Sequence, residues 1–330
     1  MARSHLTLAA LATSAVADLD LVQTSEFGSR RDNEFDSALL TGRDGRHWII
    51  RVPRTEAAEA AQSADLVALR AISAGVRTRL PFAVSTFVGQ APISGTRAVV
   101  YEFVYGSKVS LADIDHELGE SLGTAIAAIH NLPTSFVSDA GLPVFAQVEC
   151  LRAVVSVMDR AAATGKVPSP LLYRWEAAAE DTKLWQFQPS VINNTLSADS
   201  VLTSKSAVTG ILGWQELRVG DPARDLAWLL AAPNEGVVDT VFDAYATHRG
   251  SADRHVRQRA TLYSELEVAK WLLHGIEVRD TEIVDDAVTM LDGLVDDVRN
   301  DVMNPLGTQT MPTMAVDEVE AYLDRNERAV

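Results

Sequence analysis

The groups in this chain that could do chemistry gather in a few short stretches. Asp199 stands in Ser197-Ala-Asp-Ser200, Glu216 in Trp214-Gln-Glu216, and Asp221 in Gly220-Asp-Pro-Ala-Arg-Asp225. Each carboxylate could reach a metal ion, and each has a plainer use. Ser-Ala-Asp-Ser is turn-like, Glu216 suits a solvated loop, and Asp221 with Asp225 can cap and brace a helix that has Pro222 in its first turn. Upstream, Arg51 sits in the apolar run Trp48-Ile-Ile-Arg-Val-Pro-Arg54. It could grip phosphate as a bidentate fork, or serve as an exposed strand arginine. Seven histidines (5, 47, 116, 130, 248, 255 and 274) show no metal-ligand spacing. G-x-S-x-G, Walker-type and H-E-x-x-H patterns are absent from the sequence. Trp175, Trp185, Trp214, Trp228 and Trp271 are expected in the core.

Elements must hold these groups in place. The first seventeen residues predict a short amphipathic helix carrying Leu6, Leu8, Leu11 and Val16. Strands are predicted at Asp36–Thr41 and His47–Val52, joined by the turn Gly42-Arg-Asp-Gly45. Residues 55–72 predict a helix with Thr55 as its N-cap. Further strands are expected at Pro81–Val88 and Thr96–Tyr105, ending at Gly106. Beyond Gly106 helices dominate: 118–130, 148–164, 170–181, 226–232, 237–247, 254–277 and 281–298. A β-like patch at 190–214 interrupts them, and a last acidic helix is expected at 316–327. The shift from β-rich to α-rich places a lobe junction near residue 106, with a ligand cleft between the lobes.

Charge narrows the partners. Asp and Glu number 45 against 29 Lys and Arg, a formal net charge of −16 in 330 residues. That field repels nucleic acid and anionic membrane surfaces, and no apolar run is long enough to span a bilayer. Cys150, the single cysteine, fits a reducing cytoplasm.

The segment from Val208 to Ala227, and above all Gly220-Asp-Pro-Ala-Arg-Asp-Leu-Ala227, resembles the aminoglycoside/macrolide phosphotransferase family. Weaker landmarks agree in order: Trp48–Arg54 resembles the strand bearing the phosphate-contacting base, Tyr101–Gly106 the interlobe hinge, and Ala128–His130 and Ala140–Pro143 connecting segments. The resemblance implies an α+β, protein-kinase-like fold. A nucleotide-side lobe would span 1–105, with Arg51, Asp65, Glu102 and Val104 on the nucleotide and Glu26–Asn33 as the phosphate-covering turn. A helical lobe would span 106–330. An Arg51–Asp65 ion pair would stand for the kinase strand-base and helix-acid pair, with Glu59 as the other carboxylate offered.

The same resemblance exposes departures. The family's catalytic loop reads H-G-D-x-x-x-x-N, and its magnesium Asp precedes the Trp of I-D-W. Aligned here, the loop falls on Asn193–Ser200, with Thr195 at the base position, Ser200 at the Asn position and Gly213 at the magnesium Asp. Threonine is no base near neutral pH, and glycine offers no ligand. The expectation is therefore a catalytically impaired family member, a pseudoenzyme. The alternatives are an active small-molecule O-phosphotransferase using unusual residues, and a partner-binding scaffold without ligand. The residues themselves establish no cofactor, while the resemblance implies ATP or GTP with magnesium. Expected partners are a nucleotide, a cationic small molecule or a protein. The acidic positions 285, 286, 292, 296 and 297 suit either a solvated helix face or a relic of a cation site.

Overall fold

A computed structural model describes residues 3–28, 34–250, 253–300 and 306 of the chain. The last acidic helix expected at 316–327, and residues 29–33 of the expected phosphate-covering turn, lie outside the described residues.

Helix α1 (His5–Ala15) is capped by Ser4, whose hydroxyl accepts from the Thr7 N–H at 3.2 Å. It lays Leu8 and Ala12 on one face of an antiparallel sheet, whereas Leu6, expected on that face, is 67% exposed. The sheet contains β1 (Leu21–Glu26), β2 (Phe35–Gly42), β3 (His47–Pro53), β5 (Phe87–Ile93) and β6 (Thr96–Glu102), in the order β1-β2-β3-β6-β5. Period-2 alternation divides its residues between two cores. Ala38, Leu40, Trp48, Ile50, Val52, Ala98 and Val100 pack with α1. Val99 and Tyr101 join the core of the large lobe.

Helix α2 (Glu56–Ala71) starts at Thr55, whose Oγ1 accepts from the Ala58 N–H at 3.1 Å. A single turn, α3 (Ala74–Arg77), follows. The strand expected at 81–88 is broken. Ala83–Val84 form β4, which leaves the small sheet and pairs in parallel with Gly210 and Ile211. Phe87 then begins β5.

Past the connector Phe103–Gly106, β7 (Ser107–Lys108) precedes α4 (His116–His130), α5 (Ser135–Asp139), α6 (Gln147–Ala162) and α7 (Ser169–Glu180). Strands β8 (Ser190–Ile192), β9 (Val201–Ser204), β10 (Ala207–Ile211) and β11 (Arg218–Gly220) follow. They form a β4-β10-β9-β7 sheet and a β11-β8 pair. The helix expected at 226–232 is a 3₁₀ turn, Ala227–Ala231, preceded by another at Pro222–Asp225. Helices α8 (Glu235–Arg249), α9 (Val256–Val278) and α10 (Thr281–Asn300) complete the lobe.

Helices α4 and α8 pack with their backbones in close approach. A Cβ on Gly123 would lie 2.4 Å from the Val241 carbonyl oxygen, so only glycine fits there. Trp175, Trp185 and Trp214 are buried as expected, whereas Trp271 is 38% exposed and donates to Asp286 at 2.9 Å.

Candidate active site

The loop at Asn193–Ser200 leaves β8 and is held from below by one carboxylate. Asp225 has no exposed side-chain area. Its Oδ2 accepts from the Asn193 N–H and its Oδ1 from the Asn194 N–H, each at 2.7 Å. His130 Nε2 lies 3.2 Å from Oδ2, and its Nδ1 lies 2.9 Å from the Tyr245 hydroxyl. An Nε2–H placed there donates to the carboxylate, and the tyrosine hydroxyl holds the other ring nitrogen. Burial raises the Tyr245 pKa, so its hydroxyl keeps its proton. Asn194 takes φ 70°, a left-handed value that asparagine tolerates better than most residues. Its Oδ1 is buried without a hydrogen-bond partner among the described residues.

Two candidate positions in this loop spend their polar atoms on the loop itself. The Thr195 hydroxyl donates to Asn193 Oδ1 at 2.9 Å, and the Thr195 N–H donates to the same oxygen at 3.0 Å. Ser200 Oγ accepts from the Ser197 N–H at 2.9 Å and donates to the Ser197 carbonyl at 2.8 Å, closing a turn. The third position, Gly213, is brought beside Thr195. Asn193 Nδ2 donates to the Gly213 carbonyl at 2.8 Å, and Thr195 Oγ1 lies 3.4 Å from that oxygen. Gly213 has φ 73°, and a Cβ there would sit 3.3 Å from Gln215 Oε1.

In the small lobe, the half-buried face of β3 carries His47, Ile49 and Arg51. Arg51 lies opposite Ser37 of β2, and its guanidinium stacks over Phe35 at 3.9 Å from the ring centroid. The expected ion pair with Asp65 is not formed. The Asp65 carboxylate is instead turned to the large lobe, where Oδ1 accepts from the Trp214 N–H at 2.8 Å. Burial raises the Asp65 pKa, opposed by that hydrogen bond and by the nearby Arg51 charge. Arg51 thus remains near Asp65 but makes no side-chain hydrogen bond or ion pair among the described residues.

Of the hinge candidates, Glu102 is tied to Arg46 at 2.8 Å. Val104 lines a recess of about 840 Å³ with Phe103, Tyr105 and Thr209. Sequence reasoning missed the aromatic group at this hinge. Phe103 meets Tyr105 edge-on at 5.0 Å and Phe27 at 5.9 Å. His47 Nδ1 lies 2.9 Å from the Tyr105 hydroxyl. The spacing Phe103, Tyr105 was visible in the sequence, but its meeting with Phe27 and His47 requires the sheet.

The three carboxylates that could have replaced the missing metal ligands are occupied elsewhere. Asp199 is 85% exposed and pairs with Lys108 at 2.8 Å. Glu216 pairs with Arg218. Asp221 is fully buried: Oδ1 caps the Ala223 N–H at 3.0 Å, and Oδ2 accepts from Arg259 Nε at 2.8 Å and the Tyr263 hydroxyl at 3.1 Å. Glu59 lies on a separate surface depression with Arg3 and Asp36. Magnesium therefore does not fit this donor set. The atoms at 195, 200 and 213 are neutral and already hydrogen-bonded, whereas the ion asks for carboxylates.

A small antiparallel lobe joined to a helical lobe, with a carboxylate-clamped loop in the helical lobe and an arginine on a strand of the small one, defines a kinase-like phosphotransferase fold. The sequence model of the phosphotransferase enzyme family matches residues 28–259, and the chain belongs to that family. The uncharacterized protein YcbJ of Bacillus subtilis (strain 168) is 22% identical over 264 residues, covering 76% of this chain and 85% of that one. The apoenzyme structure of macrolide 2'-phosphotransferase MphH from Brachybacterium faecium superposes with a TM-score of 0.70 at 20% identity, over 87% of this chain and 98% of its own. The GDP and kanamycin complex of APH(2")-IIia superposes with a TM-score of 0.68 at 18% identity, over 90% and 99%. Among the described residues no helix is long and apolar enough to cross a membrane.

Proposed function

We propose that this chain is a non-catalytic member of its family that keeps a cleft for a nucleotide. Residues 1–105 form the nucleotide side, and residues 106–330 the side that meets a second small molecule. The observation that carries this reading is the neutral donor set at Thr195, Ser200 and Gly213. Thr195 and Ser200 spend their hydroxyls within the loop, and Gly213 has no side chain. Loss of a positioned base alone costs about 10²–10⁴ in rate. Arg51 supports retained binding, because its guanidinium is stacked in place and unspent. A solved structure of the same fold holds GDP and kanamycin, which supports a nucleotide with a second small molecule here. The net charge of −16 draws cations toward the surface at long range. The single cysteine is in keeping with work in a reducing cytoplasm.

The test is a thermal-shift titration with ATP and GTP, each with and without Mg²⁺, alongside a phosphate-release assay. Nucleotide at a hundred times Kd should stabilise the chain by about 2.7 kcal/mol. The expected shift is the same without Mg²⁺, is weakened about tenfold in affinity by Arg51→Met, and comes with no turnover. A shift that needs Mg²⁺, together with phosphate release, would establish a working transferase and sink the non-catalytic reading. No shift with either nucleotide would sink the retained cleft.

A further inference from the structure

A basic group flanks the clamped loop on its large-lobe side. Arg218 opens β11 directly opposite Ile192, the residue before Asn193. Arg224 immediately precedes Asp225, whose two oxygens hold the loop. Lys270 projects from α9 toward the same place. The three side chains are recessed, with 23%, 26% and 35% of their area exposed.

Their arrangement is crowded. Arg224 stacks over Tyr263 at 4.9 Å, and Arg218 over Phe145 at 5.3 Å. Arg224 Nη2 and Lys270 Nζ converge on one atom, Glu267 Oε1, at 3.8 and 2.5 Å. Glu216 pairs with Arg218. Arg224 Nε is buried and has no hydrogen-bond partner among the described residues. Burial, and then the Arg224 charge, lower the pKa of both Arg218 and Lys270, which reports how close the like charges lie. Of the neighbouring acids, Asp221 is matched by Arg259, and Asp225, which accepts hydrogen bonds from Asn193 and Asn194 and lies beside His130, also raises the Arg218 pKa by its charge. The Cys150 thiol is pushed up to about 11 by burial and stays neutral.

Crowded cations around an orphan donor are costly without an anion and favourable with one. We propose that Arg218, Arg224 and Lys270 form an anion subsite beside the clamped loop, taking the carboxylate or phosphate of a small-molecule ligand. Locally this reverses the preference set by the acidic surface, and it selects a second ligand that carries negative charge. Its role as part of the cleft rests on the nucleotide reading above, but its capacity to bind an anion does not.

Isothermal titration of the full chain with inorganic phosphate tests it, with ATP titrated in parallel. The expected result is one saturable phosphate site whose affinity falls at least about tenfold in Arg224→Met and Lys270→Met. Arg224→Lys should keep binding, which separates charge from folding. Succinate competing with phosphate would identify a carboxylate ligand, and failure to compete a phosphate ligand; either result keeps the site. Absence of saturable phosphate binding would overturn the proposal. So would binding that survives Arg224→Met but is lost in Arg51→Met, since the phosphate would then sit on the nucleotide side. Failure of ATP to bind, with phosphate binding still dependent on Arg224, would refute the nucleotide reading and leave the subsite standing.

Discussion

Replacing Asp225 with alanine tests whether one carboxylate builds the loop. In the native chain its two oxygens each receive a backbone N–H at 2.7 Å, in a position without solvent access. Removing it leaves the Asn193 and Asn194 donors and the His130 Nε2–H without their acceptor. Hydrogen bonds to a charged group contribute about 1.5–3 kcal/mol each, and breaking a buried charged pair costs about 3–5 kcal/mol. Asp225→Ala should therefore destabilise the protein by about 3–5 kcal/mol, a fall in Tm on the order of 10 °C for a chain of this size. Asp225→Asn keeps one acceptor but turns an NH₂ toward a backbone donor, so it should fall between alanine and wild type. Urea denaturation gives the free energies, and an unchanged m-value would show that the denatured state is the same. Amide exchange at Asn193 and Asn194 should accelerate in parallel. A loss under about 1 kcal/mol, with those amides still protected, would show that the Asn193–Gly213 bond holds the loop and that the carboxylate is dispensable.

Other consequences follow from the same geometry. The Asp65 pKa is raised above its ordinary 3.8, so the folded state holds this proton more tightly than the unfolded chain. Native stability should accordingly fall as pH rises from 3.8 through the raised value and level off above it. Asp65→Asn keeps an acceptor for the Trp214 N–H and should lack that slope; equal slopes by chemical denaturation across this window would contradict the assignment. Gly123→Ala should cost about 1–3 kcal/mol by pushing α4 off α8, and a neutral result by the same assay would mean the helices can part without penalty. The combined change Thr195→Asp, Ser200→Asn and Gly213→Asp should create magnesium-dependent nucleotide binding. Asp tolerates the left-handed φ of 73° at position 213, and the Gln215 amide it would crowd is flexible. Calorimetry with and without Mg²⁺ checks this, and metal-independent binding in the folded triple variant would show that more than three side chains separate this cleft from a metal site.

Local signals in the sequence were strong where one element explains itself. Thr55 caps the helix it was expected to cap, and the alternation in β2 and β3 matches their buried faces. Asp221 and Asp225 do the bracing that their place beside Pro222 suggested. Other features were hidden for physical reasons. Strand β1 carries Gln23, Thr24 and Ser25 at a sheet edge, where burial imposes no clear alternation. Residues 81–88 read as one strand because apolar content does not reveal that Ala83 and Val84 pair with a different sheet. The partner of Asp65 is a backbone N–H 149 positions away, and a backbone donor has no signature in side-chain types. The basic group escaped notice because Arg218, Arg224 and Lys270 each look solvated when read singly. Only the packing of α9 on the 3₁₀ turn at Pro222–Asp225 sets Lys270 beside Arg224.

The sheet β4-β10-β9-β7 takes its two outer strands from chain that comes well before its inner hairpin. Ala83–Val84 arrive from the small-lobe side, and Ser107–Lys108 from just beyond the hinge. The inner hairpin, β9 and β10, is synthesised about a hundred residues later, so its edges are completed only by long-range pairing. Cutting the chain at residue 105 would therefore not yield two autonomous pieces. A helical fragment would expose the β10 edge, an invitation to aggregate, and a small-lobe fragment would carry an orphaned β4. Kinetically, the halves should reach their native form as a single cooperative unit, and separately expressed halves should recover solubility only when mixed.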